Sequence, residues 1–91
     1  MHGLMMDTPL LITEIMRFAE RNFADREVVS VTFDNPRHRT HLGEVFRRAR
    51  KLANALQAAG VRQGDRVATL AWNDYRHLEL YYAVSCMGAV Q

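Results

Sequence analysis

Residues 66–90 read "RVATLAWNDYRHLELYYAVSCMGAV", and their order decides the fold class. The first seven form a short, mostly apolar run that suits a strand covered on both faces. Asn73 and Asp74 carry side-chain oxygens able to cap a helix. The spacing of Leu78, Tyr81, Tyr82, Val84 and Met87 predicts that helix over 75–87, with these residues turned inward, and Gly88 is placed to end it. A second apolar run begins at Ala89. Strand, crossover helix and the first residues of a second strand make an incomplete βαβ unit of a parallel sheet, so the chain is read as α/β. Such a unit needs its second strand and further covering layers, which makes Val90 an unexpected end for a domain.

Working back along the chain, Leu42, Val45, Phe46, Ala49, Leu52, Ala53 and Leu56 form one apolar stripe, with Arg47, Arg48, Arg50 and Lys51 off it. This predicts a helix over 42–59, closed by Gly60, with Val61 able to pack back on the last turn. "RQGD" (62–65) is a turn. His41 stands three residues before Glu44, where a capping box would place Ser or Thr. "EVVSVTF" (27–33) is rich in β-branched residues and reads as a half-buried strand, with Val29, Val31 and Phe33 on one face and Val28, Ser30 and Thr32 on the other. "DNPR" (34–37) is a turn signal, because Pro36 pushes Asn35 towards an extended conformation, and a return strand through "RHRTH" would complete a hairpin. Thr8 and Pro9 read as cap and first position of an amphipathic helix over 9–22, carrying Leu11, Ile12, Ile15, Met16, Ala19 and Phe23. The predicted order is helix, β-hairpin, helix and incomplete βαβ unit in a single partial domain, 1–91. There is no internal repeat, low-complexity tract or dividing linker.

The composition, 48% hydrophobic and 24% charged, belongs to an ordinary globular protein. A formal charge of +2 is small, and acidic residues are spread along the whole chain, so a partner-binding role resting on basicity has little support. Cys86 is the only thiol, which excludes an internal disulfide or a cysteine zinc cluster and fits a reducing cytoplasm. The start lacks a basic n-region and its apolar run is broken by Thr13 and Glu14, so it is not a secretory signal. No segment approaches the ~20 apolar residues of a transmembrane helix.

Little in the chain carries chemistry. The histidines, His2, His38, His41 and His77, show no metal-ligand pattern, and His38 and His41 lie at a turn without a thiolate partner. Ser30 and Ser85 lie outside any nucleophile elbow. Cys86, between Ser85 and Met87 on a helix, reads as an apolar filler. Gly60 and Gly64 bracket a turn that leads into a strand and do not form a phosphate-cradling loop. "RHRTHLGEVFRRARK" is the best stretch for nucleic acid, through Arg47, Arg48, Arg50 and Lys51, but it lacks stacking aromatics and a solvated face explains it better. Trp72 and Asn73 stand at the C-terminal end of the 66–72 strand, where open α/β sheets bind ligands, although a strand-to-helix cap is the leading reading.

Taken together, residues 43–90, "GEVFRRARKLANALQAAGVRQGDRVATLAWNDYRHLELYYAVSCMGAV", resemble the N-terminal region of the AMP-forming acyl-CoA synthetases of the adenylate-forming superfamily. The resemblance lies in the "RRARKLANAL" helix, "GVRQGDRVA", Asn73 and the "GAV" ending, and is strongest to medium- and long-chain fatty-acyl-CoA ligases. His41-Leu42-Gly43-Glu44-Val45 departs from the family's Thr-Tyr-x-Glu pattern at the helix start. Gln91 closes the chain where the family continues into an Asn-Pro loop.

The resemblance implies an N-terminal piece of the large domain of an enzyme that uses ATP and Mg²⁺ to turn a fatty acid into an acyl-adenylate, and then transfers the acyl group to CoA. It also implies a homodimer contact through outer elements in some relatives. The family's phosphate-binding loop, ribose-binding Asp, hinge and catalytic Lys have no counterpart here, so no catalytic, cofactor-binding or metal residue is assigned. The expectation is that the piece alone is inactive and binds no nucleic acid. The alternative is a small stand-alone α/β interaction module that binds nucleic acid through the arginines or self-associates through an exposed strand edge.

Overall fold

The computed structural model describes Asp7 and residues 9–91. Its elements are α1 (Ile12–Phe23), β1 (Glu27–Ser30), β2 (His38–His41), α2 (Leu42–Ala58) and α3 (Tyr75–Cys86). The three helices meet around a core of Met16, Val45, Phe46, Ala49 and Ala83, with Leu42, Leu52, Leu78 and Tyr82 packed against it. Phe46 sits at the centre, its ring edge-on to Tyr82 at 5.1 Å between centroids. A T-shaped pair of this kind adds specificity to simple area burial.

α2 starts and runs as its stripe dictates. The helix begins at Leu42, and His41 caps it: Nδ1 accepts the Glu44 amide at 3.3 Å, so an imidazole fills the role a Ser or Thr hydroxyl would take. Gly60 follows with φ 105°, and the Val61 amide bonds back to the Leu56 carbonyl. α3 is capped by Asp74, whose Oδ1 accepts the amides of Arg76 at 2.9 Å and His77 at 3.3 Å.

Four expectations are corrected, one of them the 66–72 strand, which was expected to be covered on both faces but forms a single bridge and leaves Leu70 and Trp72 exposed. α1 begins at Ile12, not residue 9: Pro9 lies in the turn before it, with the Leu11 amide bonded to the Pro9 carbonyl, and Leu11 is an N-cap without a side-chain bond. Thr8, the expected cap, lies outside the described residues. β1 ends at Ser30, not at Phe33, because Thr32 turns away from the ladder. Its hydroxyl accepts the Asn35 amide at 2.9 Å and its own amide bonds to the Asn35 carbonyl, closing a local loop. Tyr81, expected inside, is exposed on α3.

β1 and β2 pair antiparallel, Glu27 opposite His41 and Ser30 opposite His38. Ser30 and Thr32 face the core while Val29, Val31 and Phe33 face outward, with Phe33 93% exposed. The 66–72 segment holds a single parallel bridge, Arg66 to Val90. Its two hydrogen bonds run from the Val90 amide to the Asp65 carbonyl and from the Val67 amide to the Val90 carbonyl, 2.7 Å each. No further ladder forms among the described residues, since no backbone lies alongside 68–72 to supply donors and acceptors. Leu70 and Trp72 are accordingly exposed. The radius of gyration, 15.0 Å, exceeds the roughly 12 Å of a compact chain this long.

Candidate functional site

The densest polar grouping gathers where the hairpin tip meets the start of α3. Tyr75, the first residue of α3, is buried, and the His38 ring stacks on it at 3.8 Å and 8°. The guanidinium groups of Arg76 and Arg48 lie 5.0 and 5.9 Å from the same ring. Both cations are held by carboxylates: Arg76 reaches Asp34 at 3.5 Å and Asp74 at 4.0 Å, and Arg48 Nε donates to Glu79 at 2.7 Å. Asp34 is held below its ordinary pKa, chiefly by the Thr32 hydroxyl. The paired Glu79 raises the pKa of Arg48.

Glu79 is the residue that pattern reading missed. It is only 5% exposed, in register with Tyr75 and Ala83 on the buried face of α3. A carboxylate there needs a partner, and Arg48 of α2 supplies it. The signal was present in the sequence: Glu79 follows Tyr75 by one helical turn and precedes Ala83 by another, so the inward stripe passes through it.

Of the four cations considered for nucleic acid, three are committed within the chain. Arg47 pairs with Glu44, Arg48 with Glu79, and Arg50 with Glu20 through two bonds of 2.5 and 2.7 Å. The bonds from Arg47 and Arg50 lower the pKa of Glu44 and of Glu20 respectively. Cys86 packs its sulfur 3.8 Å from that of Met16 and is half-buried, which is the filler role expected of it. Ser30 is buried under the hairpin and Ser85 lies on α3.

Trp72 and Asn73 are exposed at the end of the 66–72 segment, and a cleft of about 550 Å³ runs between that segment and α3. Val67, Thr69, Asn73, His77, Tyr81 and Gln91 line it. The Nδ1 atoms of His77 and of His38 are sealed from solvent without a hydrogen-bond partner. Among the described residues no group of three or more His, Cys, Asp or Glu could hold a metal ion. With the acids near the arginines already ion-paired and no glycine-rich loop joining strand to helix, these residues do not fit ATP with its metal, and no chemical step is derived through it.

The AMP-binding enzyme family matches residues 16–91. The chain belongs to that family. It is 46% identical over 90 residues to a 3-methylmercaptopropionyl-CoA ligase of Ruegeria lacuscaerulensis, covering 99% of this chain and 17% of the relative. It is 49% identical over 86 residues to a long-chain-fatty-acid–CoA ligase of Thermus thermophilus, 94% of this chain and 16% of the relative. It is also 49% identical over 90 residues to a medium-chain-fatty-acid–CoA ligase of Ectopseudomonas oleovorans, 99% of this chain and 16% of the relative. The chain thus spans about one sixth of the length of these AMP-binding enzymes. Among its described residues no helix is long and apolar enough to cross a membrane.

Proposed function

We propose that these residues are a scaffold portion of an AMP-forming fatty-acyl-CoA ligase of medium- or long-chain type, and that they do not adenylate by themselves. The whole ligase takes a fatty acid, ATP and Mg²⁺ to an acyl-adenylate and pyrophosphate, and then forms the CoA thioester, in the cytoplasm. The observation that carries this reading is the division of the surface. The described arginines nearest the core are tied to carboxylates, while apolar faces at Val29, Val31, Phe33, Leu70 and Trp72 stand open. Such faces suit burial against more protein. The relatives differ in the acyl group their names give, so acyl selectivity is assigned to the rest of the ligase and not to this portion. The exposed Leu11, which caps α1, with Ile15 and Phe18 of that helix, is the face offered for a homodimer contact.

The test is ATP–pyrophosphate exchange with medium- and long-chain fatty acids, run on the purified chain and on a chimera in which it replaces the matching residues of the Thermus thermophilus ligase. The chain alone is expected to give no exchange. The chimera is expected to keep activity within about tenfold of its parent. Exchange by the chain alone would overturn its inactivity, and a folded but inert chimera would overturn the scaffold role.

A further inference from the structure

A cavity of about 350 Å³ lies between α1, α2 and the end of α3, and Met16, Cys86 and Met87 line it. These three are the sulfur-bearing residues among the described ones, and the fold gathers them although Met16 and Cys86 are 70 residues apart in the chain. Met16 is 4% exposed, so its thioether is held in the core, while the half-buried Cys86 and Met87 keep the cavity open to solvent. Arg17 and Arg50 line it as well, each paired with a glutamate, Glu14 and Glu20. Among the described lining residues there is no carboxylate and no imidazole.

We propose that this cavity is a soft-metal site, in which the Cys86 thiolate and the Met16 and Met87 thioethers hold one copper(I) ion. The donor set selects the ion. Thiolate and thioether sulfur suit copper(I), whereas magnesium, calcium and manganese need oxygen donors that this wall does not present as anions. Zinc takes thiolate, imidazole or carboxylate, and the cavity offers it a single thiolate.

The spacing points the same way. With metal–sulfur bonds of about 2.3 Å, two sulfurs stand about 3.8 Å apart around a tetrahedral centre and about 4.0 Å apart around a trigonal one. Cys86 Sγ and Met16 Sδ are 3.8 Å apart, so a metal can seat on that edge with neither helix displaced. The Cys86 thiol donates to Met16 along the same edge. On binding, the S–H bond breaks, the copper–sulfur bond forms and the proton passes to solvent, with no change of oxidation state. This site does not rest on the ligase reading, because its three donors all lie within the chain.

The test is an anaerobic titration with copper(I) in competition with a chromophoric copper(I) chelator. It is run on the chain and on the chimeric ligase, each beside its Met16→Leu, Met87→Leu and Cys86→Ser variants. Leucine keeps the volume of methionine and so should keep the fold, which helical circular dichroism checks. Wild type is expected to bind one copper(I) at this site, and Cys86→Ser to lose it. Met16→Leu is expected to weaken binding at least about tenfold, and Met87→Leu at least about threefold. Unchanged affinity in folded Met16→Leu would mean an adventitious thiol only and would overturn the site.

Copper K-edge X-ray absorption on the loaded protein is expected to show two or three sulfur neighbours at about 2.3 Å. One sulfur among nitrogen or oxygen neighbours would sink the proposal, as would displacement of the copper by an excess of zinc(II) or magnesium(II). If Met16→Leu unfolds the short chain, the chimera decides, since the host's other thiols are common to all its variants and cancel in the comparison. An inert chimera that still loses copper with Met16→Leu separates failure of the scaffold role from failure of the metal site.

Discussion

The helical half of this molecule and its 66–72 segment are built from similarly apolar sequence, yet one is closed and the other open. Around Phe46 the helices satisfy one another: the apolar stripes of α2 and α3 meet, His41 and Asp74 cap the helices, and Glu79 has Arg48. Along 66–72 a mostly apolar run leaves Leu70 and Trp72 in solvent and forms only one bridge. A helix makes its backbone bonds within itself and needs only one covered face, whereas a parallel strand needs neighbours on two edges and layers on both faces.

The sharpest way to break the closed half is Phe46→Ala. Its side chain is almost fully buried at the meeting of the helices, so removal should cost about 3–4 kcal/mol and lower the midpoint of urea unfolding followed by helical circular dichroism. Arg48→Ala comes next. It strands the Glu79 carboxylate inside the fold, and since Arg48 itself is half exposed the loss should be about 2 kcal/mol. Replacing both, Arg48→Met with Glu79→Leu, should recover most of that loss in a double-mutant cycle. Asp74→Ala removes the acceptor for two α3 amides and should cost about 1 kcal/mol, read by the same unfolding curves.

Smaller still is the acid sensitivity of the Glu20–Arg50 pair that ties α1 to α2. The bond from Arg50 holds the folded-state Glu20 carboxyl below its ordinary value of 4.5. A depressed carboxylate pKa contributes stability above the unfolded value and loses it as pH falls through the folded one. Wild type should therefore lose stability below pH 4.5 by slightly more than Glu20→Gln does, a difference of about 0.5 kcal/mol for so exposed a pair. The smallest expected effect sits in the open region. Leu70→Ser should change the stability of this chain by less than about 0.5 kcal/mol, because the side chain is already in water. In the chimeric ligase the same change should markedly reduce thermal stability. An equal effect in both settings would erase the distinction between the two regions.

Legibility followed the same division. α2 was readable almost to the residue because seven apolar positions repeat at helical spacing and Gly60 stops them. The hairpin was readable from its β-branched run and its Asn-Pro turn, but not its early end, which the Thr32 hydroxyl decides by bonding Asn35 in place of the ladder. The start of α1 was misjudged because Pro9 suits a first helical position equally well as the turn it occupies. Strand propensity in 66–72 was legible, but a ladder is a property of two segments and cannot be read from one. As to a site, the residues spoke of capping, ion pairing and packing, and the acyl-CoA ligase relationship came through the pattern of 43–90 as a whole.

Gly88 turns with φ 84° directly against Gln63, whose Cγ would lie 2.9 Å from any added Cβ, and its carbonyl accepts the Gly64 amide at 2.8 Å. That bond ties the loop before one strand to the turn before the other, so the two strands leave a common clasp side by side. Pairing that starts from a clasp has no freedom to slip by a residue, and a slip of one would turn every side chain of the incoming strand to the wrong face. The turn thus acts as the starter of a zip: Arg66 and Val90 meet in an alignment set by the backbone before their side chains have any say.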